Sequence, residues 1–174
     1  MKKYEFTGET KTVFSQTLYQ IRALVDIEKH NVKKGDLGGW IEKENNLAQS
    51  DDAWVSGDAY VSGNAWVSGD ARVYGNARVY DDAWVCGDVW EASPLYIQGT
   101  RFSFSVSTKN KIRVGCQIHT FYAWNKSWKK IASEYGLSEE EQKEYIMYFN
   151  LACDRYGKEK YKIDLEKAFR EAEK

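Results

Sequence analysis

Apolar and polar positions alternate with a six-residue period through the middle of the chain. The third residue of each hexad is Ala in six of seven hexads, and the fifth is Val in six. Residues two apart on a strand point to the same side, so Ala and Val face a common interior. The pattern therefore predicts a parallel β-helix. From Asp51 the hexads read DDAWVS, GDAYVS, GNAWVS, GDARVY, GNARVY, DDAWVC and GDVWEA.

Each hexad begins with Gly or Asp, which tolerate the backbone angles that a tight corner requires. Three corners close one coil of about 18 residues, and coils stack at roughly 4.8 Å. Ile41 and Leu47 extend the interior upstream, and Leu95 and Ile97 extend it downstream. We therefore expect a left-handed solenoid of three to four coils over residues 39–100.

The flanking segments are predicted to cap the open ends of this solenoid, because exposed strand edges invite aggregation. Residues 1–38 alternate in strand fashion with a turn at Gly8, which indicates an antiparallel β cap. Residues 101–122 indicate a β-hairpin that turns at Lys109 and Asn110. The fold class is thus mainly β with a helical tail over residues 123–174.

Three amphipathic helices are predicted in that tail. The first ends before Gly136, and the second begins with a capping box at Ser138 and Glu141 and ends before Gly157. Their apolar faces are expected to pack on the solenoid, on each other or on a second copy. The predicted helices span residues 125–135, 139–156 and 164–173.

Two segments outside the regular hexads, together with the repeat, resemble a family of small phage and prophage hexapeptide-repeat proteins. They are GDLGGWIEKENNL at residues 35–47 and VGCQIH at residues 114–119. The family is described mainly as polymer-forming β-helix proteins. The resemblance implies the β-helix fold, and phage accessory proteins of this size often block host defence.

The fourth position of each hexad points outward and stacks on the fourth position three hexads later. Arg is thereby placed between aromatic rings in two columns, at a spacing suited to cation–π contact. Aromatic and Arg residues dominate interface hot spots, so these columns are candidate binding surfaces; the alternative is that they only stabilise stacked strands. The columns are Trp54–Arg72–Trp90, Tyr60–Arg78–Tyr96 and Trp66–Trp84–Phe102.

The second position forms acidic columns, namely Asp52–Asp70–Asp88, Asp58–Asn76 and Asn64–Asp82. Residues 51–92 hold eight acidic against two basic side chains, whereas residues 109–174 hold fourteen basic against eleven acidic. An acidic rod is able to imitate nucleic-acid phosphates in a basic groove. The simpler interpretation is that Asp and Asn bond the corner backbone, and a cation bridging the first column is a minor alternative.

Candidate chemistry is sparse. His119 is a candidate for the base of a hexapeptide-repeat acyltransferase. Cys116 is a candidate nucleophile beside it, but residues three apart on a strand face opposite sides, which argues against this pair. No metal site, phosphate loop or dinucleotide motif is recognised, and no cofactor is expected. The sequence therefore favours a protein that is not an enzyme.

Composition narrows the setting. The formal net charge is −1, and Cys86, Cys116 and Cys153 are too scattered for a disulfide framework. There is no signal-like segment and no run of about 18 apolar residues, so a cytoplasmic protein without a membrane span is expected.

Four functions remain open. The preferred one is a phage-type protein that blocks a host defence effector, such as a CRISPR effector. The second is an oligomeric sponge for a nucleotide immune signal. The third is a structural self-assembling protein, and the fourth is an acyltransferase relative. A homodimer through the C-terminal helices or an aromatic face is expected.

Overall fold

The computed structural model describes residues 2–170, which form two compact units that divide between Pro94 and Leu95. The prediction for the last helix extends to residue 173, and its final three positions lie outside the described residues. The first unit contains the repeat, and the second contains a sheet and the helices. The two units are described separately below.

The first unit opens with a three-stranded antiparallel meander, β1 (Tyr4–Val13), β2 (Gln16–Ala23) and β3 (Leu37–Ile41). The predicted turn at Gly8 is wrong, because β1 continues through Gly8 and the register with β2 shifts between Phe6 and Thr10. Gly8 therefore lies in a bulge, where its φ of 93° is tolerated. The chain turns instead at Phe14 and Ser15, both with positive φ.

Seven two-residue strands follow, and six of them recur at six-residue intervals as the hexads predict. They pair in parallel across three faces. Face one continues the meander as β3–β5–β8, face two is β4–β7–β10, and face three is β6–β9. The strands are β4 (Trp54–Val55), β5 (Tyr60–Val61), β6 (Trp66–Val67), β7 (Arg72–Val73), β8 (Arg78–Val79), β9 (Trp84–Val85) and β10 (Val89–Trp90).

The predicted interior is confirmed. The third-position alanines and fifth-position valines of the first six hexads are at most 1% exposed. Ile41 and Leu47 are buried in the same interior, as expected, and pair with Val61 and Val67. The spacing to these partners exceeds three hexads by two positions. The two extra residues lie between Leu47 and Val55, which are eight positions apart, and follow a short 3-10 helix (Glu44–Asn46).

The corner prediction is also confirmed. Gly57, Gly63, Gly69 and Gly75 have φ between 64° and 67°, and Asp81 takes the equivalent position with φ of 53°. These are left-handed conformations that Gly adopts freely and Asp tolerates.

Polar side chains close the N-terminal edge of the coil. The Asn46 amide donates to the carbonyls of Gly63 and Ala65, and Glu42 accepts from the Gly63 amide. Asp51 accepts from the Gly69 amide in the same way. These contacts satisfy backbone groups that would otherwise be an open edge.

The register slips by one residue at the last hexad. Val89 pairs with Arg72 and Trp90 pairs with Val73, so the spacing between these strands is one position shorter than three hexads. Asp88, with φ of 63°, makes the corner in place of Gly87. Val89 is therefore exposed, and Trp90 is only 4% exposed inside the coil.

The second unit begins with a four-stranded antiparallel sheet, β11 (Tyr96–Gln98), β12 (Ser103–Thr108), β13 (Lys111–Val114) and β14 (Gln117–Thr120). The predicted turn at Lys109 and Asn110 is confirmed between β12 and β13. The expectation that residues 95–98 continue the solenoid is wrong, because β11 pairs antiparallel with β12.

The helices are α1 (Phe121–Glu134), α2 (Glu139–Arg155) and α3 (Leu165–Arg170), with a 3-10 helix (Glu159–Tyr161) before the last. α1 begins earlier than predicted, because Thr120 caps it by accepting from the Ala123 amide. The predicted capping box is confirmed: the Ser138 hydroxyl accepts from the Glu141 amide, and the Glu141 carboxylate accepts from the Ser138 amide. Phe121, Trp124, Phe149 and Ala152 belong to the buried core of this unit.

Candidate functional site

Face three presents a stacked tryptophan pair. Trp66 and Trp84 are aligned by the pairing of β6 with β9, and their ring centroids lie 4.8 Å apart at an interplanar angle of 55°. Both side chains are half-buried. Such a pair contributes about 0.5–1.5 kcal/mol beyond area burial. The predicted outward stacking of these two residues is confirmed, and part of each side chain is exposed to solvent.

The corner next to this pair is polar. The Asn64 amide donates to Asp82 at 3.3 Å, and Lys43 Nζ donates to Asn64 at 3.4 Å. The predicted Asn64–Asp82 column is therefore confirmed as a side-chain contact. An aromatic centre beside a polar rim is the anatomy of a protein interface.

Face one carries a longer column than predicted. Trp40 pairs with Tyr60, and Tyr60 pairs with Arg78. The Arg78 guanidinium lies 5.7 Å from the Tyr60 ring centre, and Lys11 Nζ lies 4.5 Å from that of Trp40. The four side chains place a cation at each end of two aromatic rings.

Sequence reasoning missed Trp40 and Lys11 in this column. The spacing from Trp40 to Tyr60 is two positions longer than three hexads, so the regular period does not reach Trp40. Lys11 comes from the antiparallel strand β1, whose bulge hides its alignment from the sequence pattern. The signal that was available is the Gly38-Gly39-Trp40 run directly before the repeat.

Tyr96 does not belong to this column. It pairs with Ser105 in the antiparallel sheet, and its hydroxyl donates to Gln98. The prediction that Tyr96 stacks on Arg78 is therefore wrong. Phe102, predicted to follow Trp84, likewise lies in the second unit, where its ring contacts Tyr135 and Tyr145.

Face two is covered by the N-terminal element. Trp54 pairs with Arg72 as predicted, but it is only 1% exposed. A Cβ at Gly38 would lie 2.8 Å from the Trp54 ring, which shows how closely the β3 backbone approaches it. Arg72 lies 5.5 Å from the Tyr74 ring and not between two tryptophans, because Trp90 points inward. The predicted Trp54–Arg72–Trp90 ladder is therefore wrong, and its tryptophans serve the core.

His30 lies beside the covered face. It is 5% exposed, and its Nε2 has no hydrogen-bond partner among the described residues. Burial lowers the pKa of His30, and the positive charge of Arg72 lowers it further, while Asp52 and Asp70 act in the opposite direction.

The N-terminal segment also neutralises acidic side chains of the repeat. Lys29 Nζ lies 2.6 Å from Asp70, and the buried Lys3 contacts Asp51 at 3.2 Å. Lys11 bonds the carbonyl oxygen of Asp58.

The predicted Asp52–Asp70–Asp88 column is wrong at its last member. Asp88 occupies the corner position after the one-residue slip, and its carbonyl oxygen accepts from the Arg72 amide. The acidic surface is thus less continuous than the hexads suggest.

Cys116 and His119 do not contact each other as a nucleophile and base would. The His119 ring bonds Gln117 at 3.1 Å and meets Trp124 edge to face. Cys116 Sγ lies 3.5 Å from the Tyr135 hydroxyl, and this hydrogen bond raises the pKa of Tyr135.

Over residues 2–170 no group of three or more His, Cys, Asp or Glu side chains is arranged to hold a metal ion. Within the same range no helix has the length and apolar character needed to cross a membrane.

These observations define a β-solenoid repeat protein with a mixed sheet-and-helix second unit. Residues 71–87 match the family model described as the YdcK beta solenoid repeat. No curated protein matches the chain.

Proposed function

We propose that this is a non-enzymatic binding protein that uses face three of the solenoid to cover a surface of a partner protein. The observation that carries the proposal is the stacked, half-buried Trp66–Trp84 pair on this face. Faces one and two are occupied near their N-terminal ends by Lys11 and by the β3 backbone. Large aromatic side chains at the centre of an interface supply most of its affinity.

The partner that fits best is a host defence effector with a basic nucleic-acid groove. The resemblance to phage proteins indicates the biological class of the partner. The acidic charge of the first unit supports a partner with a basic surface. The first unit holds ten basic against fifteen acidic side chains, and Asp82 lies at the corner beside the tryptophan pair. An acidic protein associates faster with a basic groove and competes with nucleic acid for it.

The finer fold assignment is part of the same proposal. The six-residue strand spacing and the three-hexad register support a left-handed hexapeptide-repeat helix. The phage class rests on the resemblance of residues 35–47 and 114–119. Homodimerisation through the helices or an aromatic face remains part of the proposal.

The test compares three baits in a host lysate: wild type, the double variant W66S/W84S, and the control F14S. Phe14 is 83% exposed at the β1–β2 turn and lies outside face three. We expect wild type and F14S to retain the same effector and the double variant to lose it, with affinity for the purified effector falling about 30-fold or more. Nucleic acid should compete for the effector. Equal retention by all three folded baits would refute the face assignment, and binding unaffected by nucleic acid would refute the groove assignment.

A second candidate is sequestration of a nucleotide signal, which the face-one column favours. Lys11, Trp40 and Arg78 offer a half-buried indole ring for a base and cations for phosphates. Tyr60 is only 8% exposed and contacts the Arg78 guanidinium. A cyclic dinucleotide should then raise the melting temperature of wild type by several degrees, and K11M/R78M should abolish the shift. No shift in wild type would exclude this candidate for that class of nucleotide.

A further inference from the structure

The second unit contains a cavity of about 70 Å³ between its sheet and helices. β12 contributes Phe104 to the wall, and α1 contributes Trp128, Ile131 and Ala132. None of the lining residues is charged. A dry apolar cavity of about 150 Å³ is able to bind benzene. This cavity has about half that volume but is open to solvent on one side, so it holds part of one ring, and the rest of the ligand extends through the opening.

A polar group lies at one end of the cavity lining. Gln117 Nε2 donates to the Tyr135 hydroxyl at 2.8 Å, and Cys116 Sγ lies 3.5 Å from the same oxygen. All three residues line the cavity. The Tyr135 hydroxyl accepts from Gln117, so its own proton remains to be donated to sulfur or to an entering acceptor.

Three other polar side chains of the lining donate or accept hydrogen bonds within the protein, and one of them is Trp124, whose Nε1 donates to the Ile112 carbonyl. The Tyr145 hydroxyl accepts from the Phe102 amide and donates to the Phe102 carbonyl. The Gln142 amide donates to the Leu137 carbonyl. The cluster of Cys116, Gln117 and Tyr135 brings three polar side chains of the lining together at one place, where they can recognise a ligand's polar atom.

We propose that this cavity binds a small neutral one-ring phenol, with the ring among the apolar walls and the hydroxyl at Tyr135. A neutral ligand fits because no charged side chain is present in the lining to compensate a buried charge. A ring fits because seven of the 17 lining residues are aromatic, and a hydroxyl fits because Tyr135 offers a donor. This site is independent of the proposed solenoid interface.

Cysteine alkylation tests the proposal, because Cys116 is exposed and lines the cavity. We expect p-cresol to slow alkylation of Cys116 with half-effect below about 1 mM and to leave Cys86 unchanged. Burial raises the pKa of the Cys153 thiol to about 12, so it should stay unmodified in the folded protein. Unchanged alkylation of Cys116 at saturating p-cresol would overturn the proposal.

Two variants locate the ligand. A132L places three more carbons in the cavity and should abolish protection, whereas A123L, a half-buried position on α1 outside the lining, should retain it. Y135F keeps the ring and removes the hydroxyl, so it should weaken p-cresol about 3- to 10-fold and leave toluene unaffected. Protection that persists in folded A132L, or equal weakening of both ligands by Y135F, would contradict the assigned pose.

Discussion

Trp90 pairs with Val73 in the parallel register of face two, and its indole therefore lies inside the coil. Its Nε1 donates to the Gly87 carbonyl at 2.7 Å, so the ring is both packed and hydrogen-bonded at the last coil. The one-residue shift in register thus moves Trp90 from an outward position to one where its side chain fills the end of the solenoid interior.

Replacing Trp90 tests this role. W90A should lower the free energy of unfolding of the first unit by about 3–5 kcal/mol, because it leaves a large cavity and an unpaired Gly87 carbonyl. V89A is the matched control, since Val89 is 47% exposed, and should change stability by about 0.5 kcal/mol or less. Urea denaturation measures both values. Similar midpoints for the two variants would show that Trp90 is not a core residue.

The interior of the solenoid was predictable because its period is strict. Ala59 and Val61 are buried as the pattern requires, and the Gly57 corner has the expected positive φ. The slip at the last hexad was not predictable in this way, because Gly87-Asp88 reads like a normal corner. Val89 and Trp90 are both apolar, so alternation alone does not decide which faces inward.

The candidate site was predictable only where it is built from the repeat itself. The stacking of Trp66 on Trp84 follows from the three-hexad register. The burial of Trp54 depends on Gly38 and on the N-terminal strands, which are distant in sequence and out of phase with the hexads. A contact between the six-residue repeat and a segment with a different apolar pattern cannot be predicted from the pattern of either segment.

Lys3 provides a second test, because a buried ammonium connects the cap to the first coil. Its Nζ donates to the carbonyls of Asp51 and Ala53 and contacts the Asp51 carboxylate, and burial lowers the pKa of Lys3. K3M should cost about 2–4 kcal/mol, since it strands these acceptors. The control K2M breaks an exposed pair with Glu44 and should cost about 0.5 kcal/mol or less. Equal denaturation midpoints would refute the structural role of Lys3.

Alanine substitutions at two corner glycines measure the stability cost of backbone strain separately from that of steric contact. Gly69 and Gly75 both have φ of 64°, so alanine at either position should cost about 1–2 kcal/mol for the left-handed conformation. At Gly69 the added Cβ would lie 2.5 Å from the Cys86 carbonyl oxygen, whereas at Gly75 the nearest atom is 3.6 Å away. We expect G69A to cost at least about 1 kcal/mol more than G75A in thermal or urea unfolding. The reverse order would show that the coils are not stacked this closely at Gly69.

His30 makes the stability of the first unit depend on pH. Its pKa is lowered in the folded protein, so the unfolded chain binds a proton first as the pH falls through its ordinary value near 6.5. The stability due to neutral His30 is present above that pH and declines below it, until the folded protein also takes up the proton. The slope from this one group is at most about 1.4 kcal/mol per pH unit.

Urea denaturation from pH 8 to pH 5.5 measures this dependence, and H30Q should flatten the part of the profile below pH 6.5. R72M should also reduce the slope of stability against pH, because it removes a positive charge that opposes protonation of His30. Asp52 and Asp70, which favour protonation, and Lys29, which opposes it, are unchanged in this variant. A wild-type profile that H30Q leaves unchanged would mean that His30 does not titrate differently in the folded and unfolded chains.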